Sequence, residues 1–225
     1  LESGLLFPQR IVSSLKLIPT KEEMRMKTMD LNKLIKVALL SALAFILMFL
    51  QTPIVVLFPD FLKVDVSDLP AIIGAFAFGP LYGILIEAIK NLLHAITQSS
   101  TFYVGEVANF LVGSALVGTA GFIYQIRKDK TGALMGLMAG VIAMAITGAL
   151  ANYYFIIPAY ETLMNFPVEA IIGMAAKVNG SVTSLFTFVI FVIVPFNLLK
   201  GTLVAILTLL IYKRVSPLLS GKIRG

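Results

Sequence analysis

Cysteine is absent from the 225 residues, so a disulfide framework, a thiol nucleophile and a thiolate metal site are all excluded. His94 is the only histidine, which argues against a His-rich metal centre. Charge is scarce: 13% of residues are charged, where a soluble domain carries about 25%. The familiar catalytic signatures are also missing. There is no G-x-S-x-G, no H-E-x-x-H and no G-x-x-x-x-G-K-[ST]. Without a phosphate-binding loop of its own, the chain needs a partner for any ATP-driven function. No internal repeat is visible, which weakens the case for a self-sufficient inverted-repeat transporter.

What is present is apolar. The chain is 58% hydrophobic, with a mean hydropathy of +0.94, and this composition describes an integral membrane protein. The net charge of +6 sits in basic residues that flank apolar runs, so it points to a bilayer surface and not to nucleic acid. Residues 1–30 differ from the rest: they mix charge with short apolar pieces and offer Met24, Met26 and Met29 as natural starts. They are expected to be an extension outside the fold, and they lack the charged, apolar, small-residue order of a cleavable signal. Residues 31–225 are expected to form a six-helix membrane domain.

The first span is expected at about 33–51, followed by a loop carrying Pro53, Pro59, Asp60, Lys63, Asp65, Ser67 and Asp68. The apolar run 69–97 is either one long helix or two short ones broken at Gly79-Pro80, since proline inside a helix loses a hydrogen bond and clashes with the preceding turn. Further spans are expected at 104–126, 131–157 and 182–212. A connection over 158–180 is expected to contain a helical patch around 168–176. Charge chooses between five spans and six. With the break, both termini share one side with Arg127-Lys-Asp-Lys130. That side then gathers Arg10, Lys16, Lys21, Arg25, Lys27, Lys33, Lys36, Lys213, Arg214, Lys222 and Arg224. The other side keeps Lys63 and Lys177 against Asp60, Asp65, Asp68, Glu161 and Glu169. The positive-inside rule therefore favours an all-α protein of six spans with both termini cytoplasmic.

Polar residues inside the apolar runs mark the candidate site. Pro195-Phe-Asn-Leu-Leu-Lys200 places an amide and a cation three residues apart on one helix face. An ionisable group at membrane depth costs at least ~2.5–3.5 kcal/mol, so Lys200 is a functional candidate. Its plainer roles are snorkelling to the interface or pairing with a carboxylate. Asn152, just before Pro158, is either a third ligand group or glue between helices. Glu87, Lys90, Asn91 and His94 form a second stripe. It reads as a structural ion pair, as a pairing to Glu106 or Asn109, or as a proton relay. Ser67 and Asp68 before Leu69-Pro70 read as a helix N-cap, and the loop before them as a lid. Ala38 and Ala42 offer a small-residue face for a close-packed helix. The glycine tracks at 113–121 and 132–140 are expected to pack spans four and five.

The runs Leu62-Lys-Val-Asp-Val-Ser-Asp-Leu-Pro-Ala71, Phe78-Gly-Pro-Leu-Tyr-Gly83 and Glu87-Ala-Ile-Lys-Asn-Leu-Leu-His94 resemble the substrate-binding S components of energy-coupling factor (ECF) vitamin transporters. With Ala151-Asn-Tyr-Tyr154, Pro195-Phe-Asn-Leu-Leu-Lys200 and Tyr212-Lys-Arg-Val-Ser-Pro217, the likeness is strongest to the riboflavin-specific members, over about residues 30–219. The resemblance implies six helices in the plasma membrane and riboflavin as the transported ligand, with no cofactor. It also implies a complex with a transmembrane coupling protein (EcfT) and two ATPase subunits (EcfA and EcfA′). By the same resemblance Asn152, Asn197 and Lys200 hold the flavin ring. Leu62, Lys63, Val64 and Asp65 contribute from the covering loop, and Ala38 and Ala42 dock on the coupling protein. Tyr153, Tyr154, Phe155 and Phe196 are candidate ring walls by position. The competing expectations are an S component for another vitamin, such as pantothenate or folate, a small intramembrane enzyme using Glu87, His94 or the aspartates, and a scaffold without a small ligand.

Overall fold

The computed structural model describes residues 21–99 and 101–219. Arg10, Lys16, Lys222 and Arg224 of the charge argument, and most of the expected extension, lie outside them. The chain runs through α1 (Lys21–Met48), β1 (Thr52–Pro53), β2 (Lys63–Val64), α2 (Asp68–Phe78), α3 (Pro80–Gln98), α4 (Val104–Ile126) and α5 (Lys130–Ala151). A π-helical turn at Asn152–Ile156 leads into α6 (Ile157–Met164), then α7 (Val168–Val178) and α8 (Leu185–Phe188), and a second π turn at Val189–Ile193 leads into α9 (Val194–Leu219). The helical segment 21–30 joins the first span directly, ahead of its expected start.

Among the described residues, four helical stretches are long and apolar enough to cross a membrane: Leu31–Met48, Val104–Ile126, Lys130–Met164 and Leu185–Ile211. Their burial is one-sided. In α1, Val37, Ser41, Ala44 and Met48 are buried at helical spacing, whereas Leu39 and Ile46 between them are 66% and 59% exposed. In water such an apolar face would be a liability, but a bilayer solvates it.

The 69–97 run is broken where proline and glycine predict. Gly79 takes φ 111° and ψ 162°, a region essentially closed to side chains, and Pro80 opens α3 without needing an N–H. The glycine tracks also behave as expected. A Cβ on Gly136 would lie 2.7 Å from the Ala120 carbonyl oxygen, and one on Gly140 would lie 2.7 Å from that of Leu116, so α4 and α5 approach backbone to backbone. The first core joins Ala71, Ile72, Ala75 and Phe76 of α2 to Ile86, Leu116, Val117, Leu137, Met144 and Val204, with Phe76 stacked on Tyr124 at 4.2 Å. A second core joins Phe58 and Val64 of the 49–67 loop to Ile157, Ile171, Ala175, Phe188, Val192 and Phe196.

One boundary is corrected. The fifth span is expected to end near Pro158, but the helix continues through α6 to Met164, while α7 is the helical patch expected around 168–176. A proline ring in an α-helix meets the carbonyl one turn back. Here the turn widens to π geometry just before Pro158, and again just before Pro195, so each helix passes its proline without breaking.

Candidate ligand-binding site

A cavity of about 290 Å³ opens where the two cores meet. That is close to the lower end of ligand pockets, at ~300–1,000 Å³. The 49–67 loop contributes Gln51, Phe61, Leu62, Lys63 and Asp65, and α3 contributes His94. Glu106, Asn109 and Val112 come from one face of α4, Asn152 and Ile156 from the first π turn, and Ile157 and Tyr160 from α6. Ile193, Phe196, Asn197 and Lys200 complete it from the second π turn and α9.

Both asparagines belong to proline-disturbed turns. Asn152 Nδ2 donates to the Gly148 carbonyl at 2.9 Å, and Asn197 Nδ2 donates to that of Ile193 at 2.9 Å. Each amide is thereby fixed in orientation, and neither Oδ1 is the atom held by that bond. A Cβ on Gly148 would come 2.6 Å from Asn197 Nδ2, so this glycine gives the amide its room.

Lys200 is buried and anchored. Its Nζ donates to Asp65 Oδ2 at 3.0 Å and to Asn109 Oδ1 at 2.9 Å, and lies 3.7 Å from Asp68 Oδ2. The carboxylate pairing weighed for Lys200 is thus present, on the same side chain that forms the cavity wall. Asp65 in turn accepts from the Ser67 backbone N–H at 2.8 Å. Burial alone would raise the Asp65 carboxyl, but Lys200 and then Lys90 outweigh it and hold it down at about 2. The loop is therefore tied to α9 by a buried ion pair spanning 135 residues of sequence. Removing one partner of such a pair leaves an uncompensated charge.

Ser67 occupies the N-cap position of α2, as expected, but not with the expected bonding. Ser67 makes no side-chain cap; its Oγ accepts from Lys90 Nζ at 2.8 Å. Asp68, the first residue of α2, pairs with the same ammonium. Lys90 also meets Glu87 Oε2 at 2.9 Å, which is the ion pair expected along α3. One turn along, His94 Nδ1 meets Glu106 Oε1 at 2.9 Å, while Ser99 and Thr101 hydroxyls donate to Glu106 Oε2 at 3.1 and 3.2 Å.

Of the eight ligand residues expected from sequence, the cavity brings together six: Leu62, Lys63, Asp65, Asn152, Asn197 and Lys200. Val64 and Tyr153 are not among its walls. Val64 is buried in the second core, and Tyr153 is exposed, T-stacked on Tyr154 at 5.0 Å. Tyr154 and Phe155 are 62% and 68% exposed, so Phe196 alone of the four proposed ring walls lines the cavity. Sequence reasoning missed Gln51, Tyr160 and Gly148; of the two partners it offered the α3 stripe, Glu106 pairs with His94, and Asn109 accepts from Lys200 instead. An amide on the buried side of an apolar helix was the available signal for Asn109. Ala38 and Ala42 are both exposed on α1.

The described residues hold no group of three or more metal-ligating side chains. The cavity offers amide edges, one anchored ammonium and apolar walls, which is suited to binding a flat, neutral, heteroatom-edged molecule.

Comparison with known proteins agrees with this geometry. The family model described as ECF transporter, substrate-specific component, matches residues 32–212. The riboflavin transporter FmnP of Bacillus subtilis (strain 168) is 38% identical over 191 residues, covering 84% of this chain and 94% of the relative. The riboflavin transporter RibU of Staphylococcus aureus (strain TCH60) is 34% identical over 196 residues, covering 87% and 96%. A solved S component of a bacterial ECF transporter superposes with a TM-score of 0.66 at 32% identity, over 84% of this chain and 98% of that one. The matched region contains every residue that lines the cavity, and the chain belongs to the family of substrate-specific components of ECF transporters.

Proposed function

We propose that this chain captures riboflavin in the cavity described above and delivers it inward as the substrate-binding subunit of an ATP-driven transporter. The observation that carries the reading is the convergence of Asn152, Asn197 and Lys200 on one cavity from two proline-disturbed helices. Riboflavin presents a flat ring with an imide N–H between two carbonyls, and an asparagine offers a matching donor and acceptor. Lys200 donates to a ring heteroatom, sharing the ammonium that Asp65 and Asn109 hold. Phe196 and Ile193 cover ring faces. Loop residues Leu62, Lys63 and Asp65 close over the ligand, because Asp65 ties the loop to Lys200. The names of the curated relatives support riboflavin over the alternatives of pantothenate, folate or an intramembrane reaction.

The family is one of transporter components, and this chain shows no nucleotide-binding loop, so the energy comes from partners. The proposed partners are a transmembrane coupling protein and two ATPases. The exposed Ala38 and Ala42 face of α1 is the proposed docking surface, since small side chains let another helix approach closely. We place the chain in the plasma membrane with six spans and both termini cytoplasmic. The break at Gly79-Pro80 and the basic loop 127–130 support that arrangement.

Titration of riboflavin fluorescence with purified protein tests the site. Lys200→Ala removes a charged hydrogen bond worth ~1.5–3 kcal/mol and should weaken binding about 10–150-fold. Unchanged affinity in both Lys200→Ala and Asn197→Ala would remove the assignment.

A further inference from the structure

Beneath the cavity, the buried charges do not balance. Asp65, Asp68 and Glu87 face two cations, Lys90 and Lys200, and all five side chains are buried. The donors are also too few. An ammonium has three N–H groups. Those of Lys90 are engaged by Ser67 Oγ, Asp68 Oδ1 and Glu87 Oε2, and those of Lys200 by Asp65, Asn109 and, more distantly, Asp68. Glu87 Oε1 and Asp68 Oδ2 have no hydrogen-bond partner. Neither does Asn91 Oδ1, an acceptor on the amide whose Nδ2 lies 3.5 Å from Glu87 Oε2. Two buried acceptors that no ammonium faces, Glu87 Oε1 and Asn91 Oδ1, beside one uncompensated negative charge, describe a place that lacks a proton. An uncompensated carboxylate in such surroundings costs far more than a protonated one.

Each packed element leaves that conclusion in place. From its own helix Glu87 meets Lys90 and Asn91; Lys90 in turn holds Asp68 of α2 and Ser67 of the loop, while Lys200 of α9 reaches Asp65 and Asp68. From α4 it meets Gly113, where a Cβ would collide with Glu87 Oε2 and would stand 3.3 Å from Asp68 Oδ1. The glycine makes room for two carboxyl groups side by side and brings no cation. His94 and Glu106, one turn nearer the mouth, pair with each other.

We propose that Glu87 is a proton-binding site, occupied in the ligand-free protein and linked to ligand binding through Lys200. The linkage rests on the riboflavin reading given above. When a ligand heteroatom takes the Lys200 N–H that faces Asp68 at 3.7 Å, with Asp65 and Asn109 still held, the cluster loses compensating charge. It then holds its proton more tightly, and at a pH high enough to empty the site in part, binding takes up protons from solvent. Affinity should therefore rise as pH falls across the range where the cluster titrates.

Infrared spectroscopy of the ligand-free protein at neutral pH tests the proton directly. The expected result is a protonated-carboxyl carbonyl band that shifts in deuterated water and is lost in Glu87→Gln. If that variant fails to fold, carbon-13 labelling of glutamate carboxyls in the unaltered chain should move the band. A spectrum without the band, or a band that survives Glu87→Gln or ignores glutamate labelling, overturns the proposal. Calorimetric titration of riboflavin in two buffers of different ionisation enthalpy, at a pH where the infrared band has partly disappeared, tests the linkage. Buffer-dependent heats showing proton uptake support it, and identical heats with intact binding overturn it. Absence of riboflavin binding would instead defeat the ligand reading, while the infrared band still decides the proton.

Discussion

The two ends of α4 are built on opposite principles. Toward its C-terminus, Leu116 and Ala120 present bare carbonyls to Gly136 and Gly140 of α5, and the contact is made of backbone and small residues. Toward its N-terminus, Glu106 and Asn109 enter a polar network with His94 and Lys200, and Gly113 makes space for Glu87. The first end is held by close packing, which in lipid replaces the hydrophobic drive between helices. The second is held by buried hydrogen bonds to charged groups, whose net contribution to stability is modest but whose disruption leaves a buried charge unsatisfied. Stability and ligand chemistry are therefore separated along one helix, and the charges gather where a ligand is proposed to bind.

Breaking the network should have the largest effect. Lys90→Met leaves the Asp68 carboxylate without its cation and removes a donor from Glu87, and it should cost about 3–5 kcal/mol, visible as a large drop in thermal unfolding temperature in detergent. A drop no larger than that of an exposed control would contradict the network's role. Next comes the packed end: Gly136→Leu must push α4 and α5 apart and should cost about 1–3 kcal/mol, with riboflavin affinity preserved in whatever remains folded. Loss of affinity without loss of stability would blur the separation. Asp65→Asn should loosen the 49–67 loop and speed riboflavin dissociation, an effect stopped-flow fluorescence would detect, with less loss of stability than Lys90→Met. The smallest effect is expected at the exposed N-cap of α5. There the Gly132 N–H, and then Arg127, hold the Asp129 carboxyl below its usual range. A lowered carboxylate stabilises above its unfolded value and loses that contribution as pH falls through the folded one. The small melting-temperature gap between Asp129→Ala and the unaltered chain should thus close on acidification.

Much of the site was legible because polar residues stand out in apolar runs: Asn152, Asn197 and Lys200 needed no structure to be noticed. The pairing of Lys200 with Asp65 was not legible, since it links residues 135 apart and either could have met other partners. The two misplaced residues follow from simple periodicities. In β2 the two neighbours point to opposite faces, so Lys63 lines the cavity while Val64 enters the second core. Neighbours on a helix point about 100° apart, so with Asn152 facing in, Tyr153 faces out. In the fold, the Gly79-Pro80 break and the glycine-packed pair were readable from residue chemistry. The passage through Pro158 was not, because the π turn that accommodates it is a main-chain adjustment with no side-chain signature.

The most direct test of the central claim is the visible absorption spectrum of the protein purified in detergent, followed by titration of free riboflavin. The account predicts a bound flavin released on denaturation and identified as riboflavin, or tight quenching of added riboflavin that Lys200→Ala weakens. A colourless protein that leaves riboflavin fluorescence unchanged would contradict it.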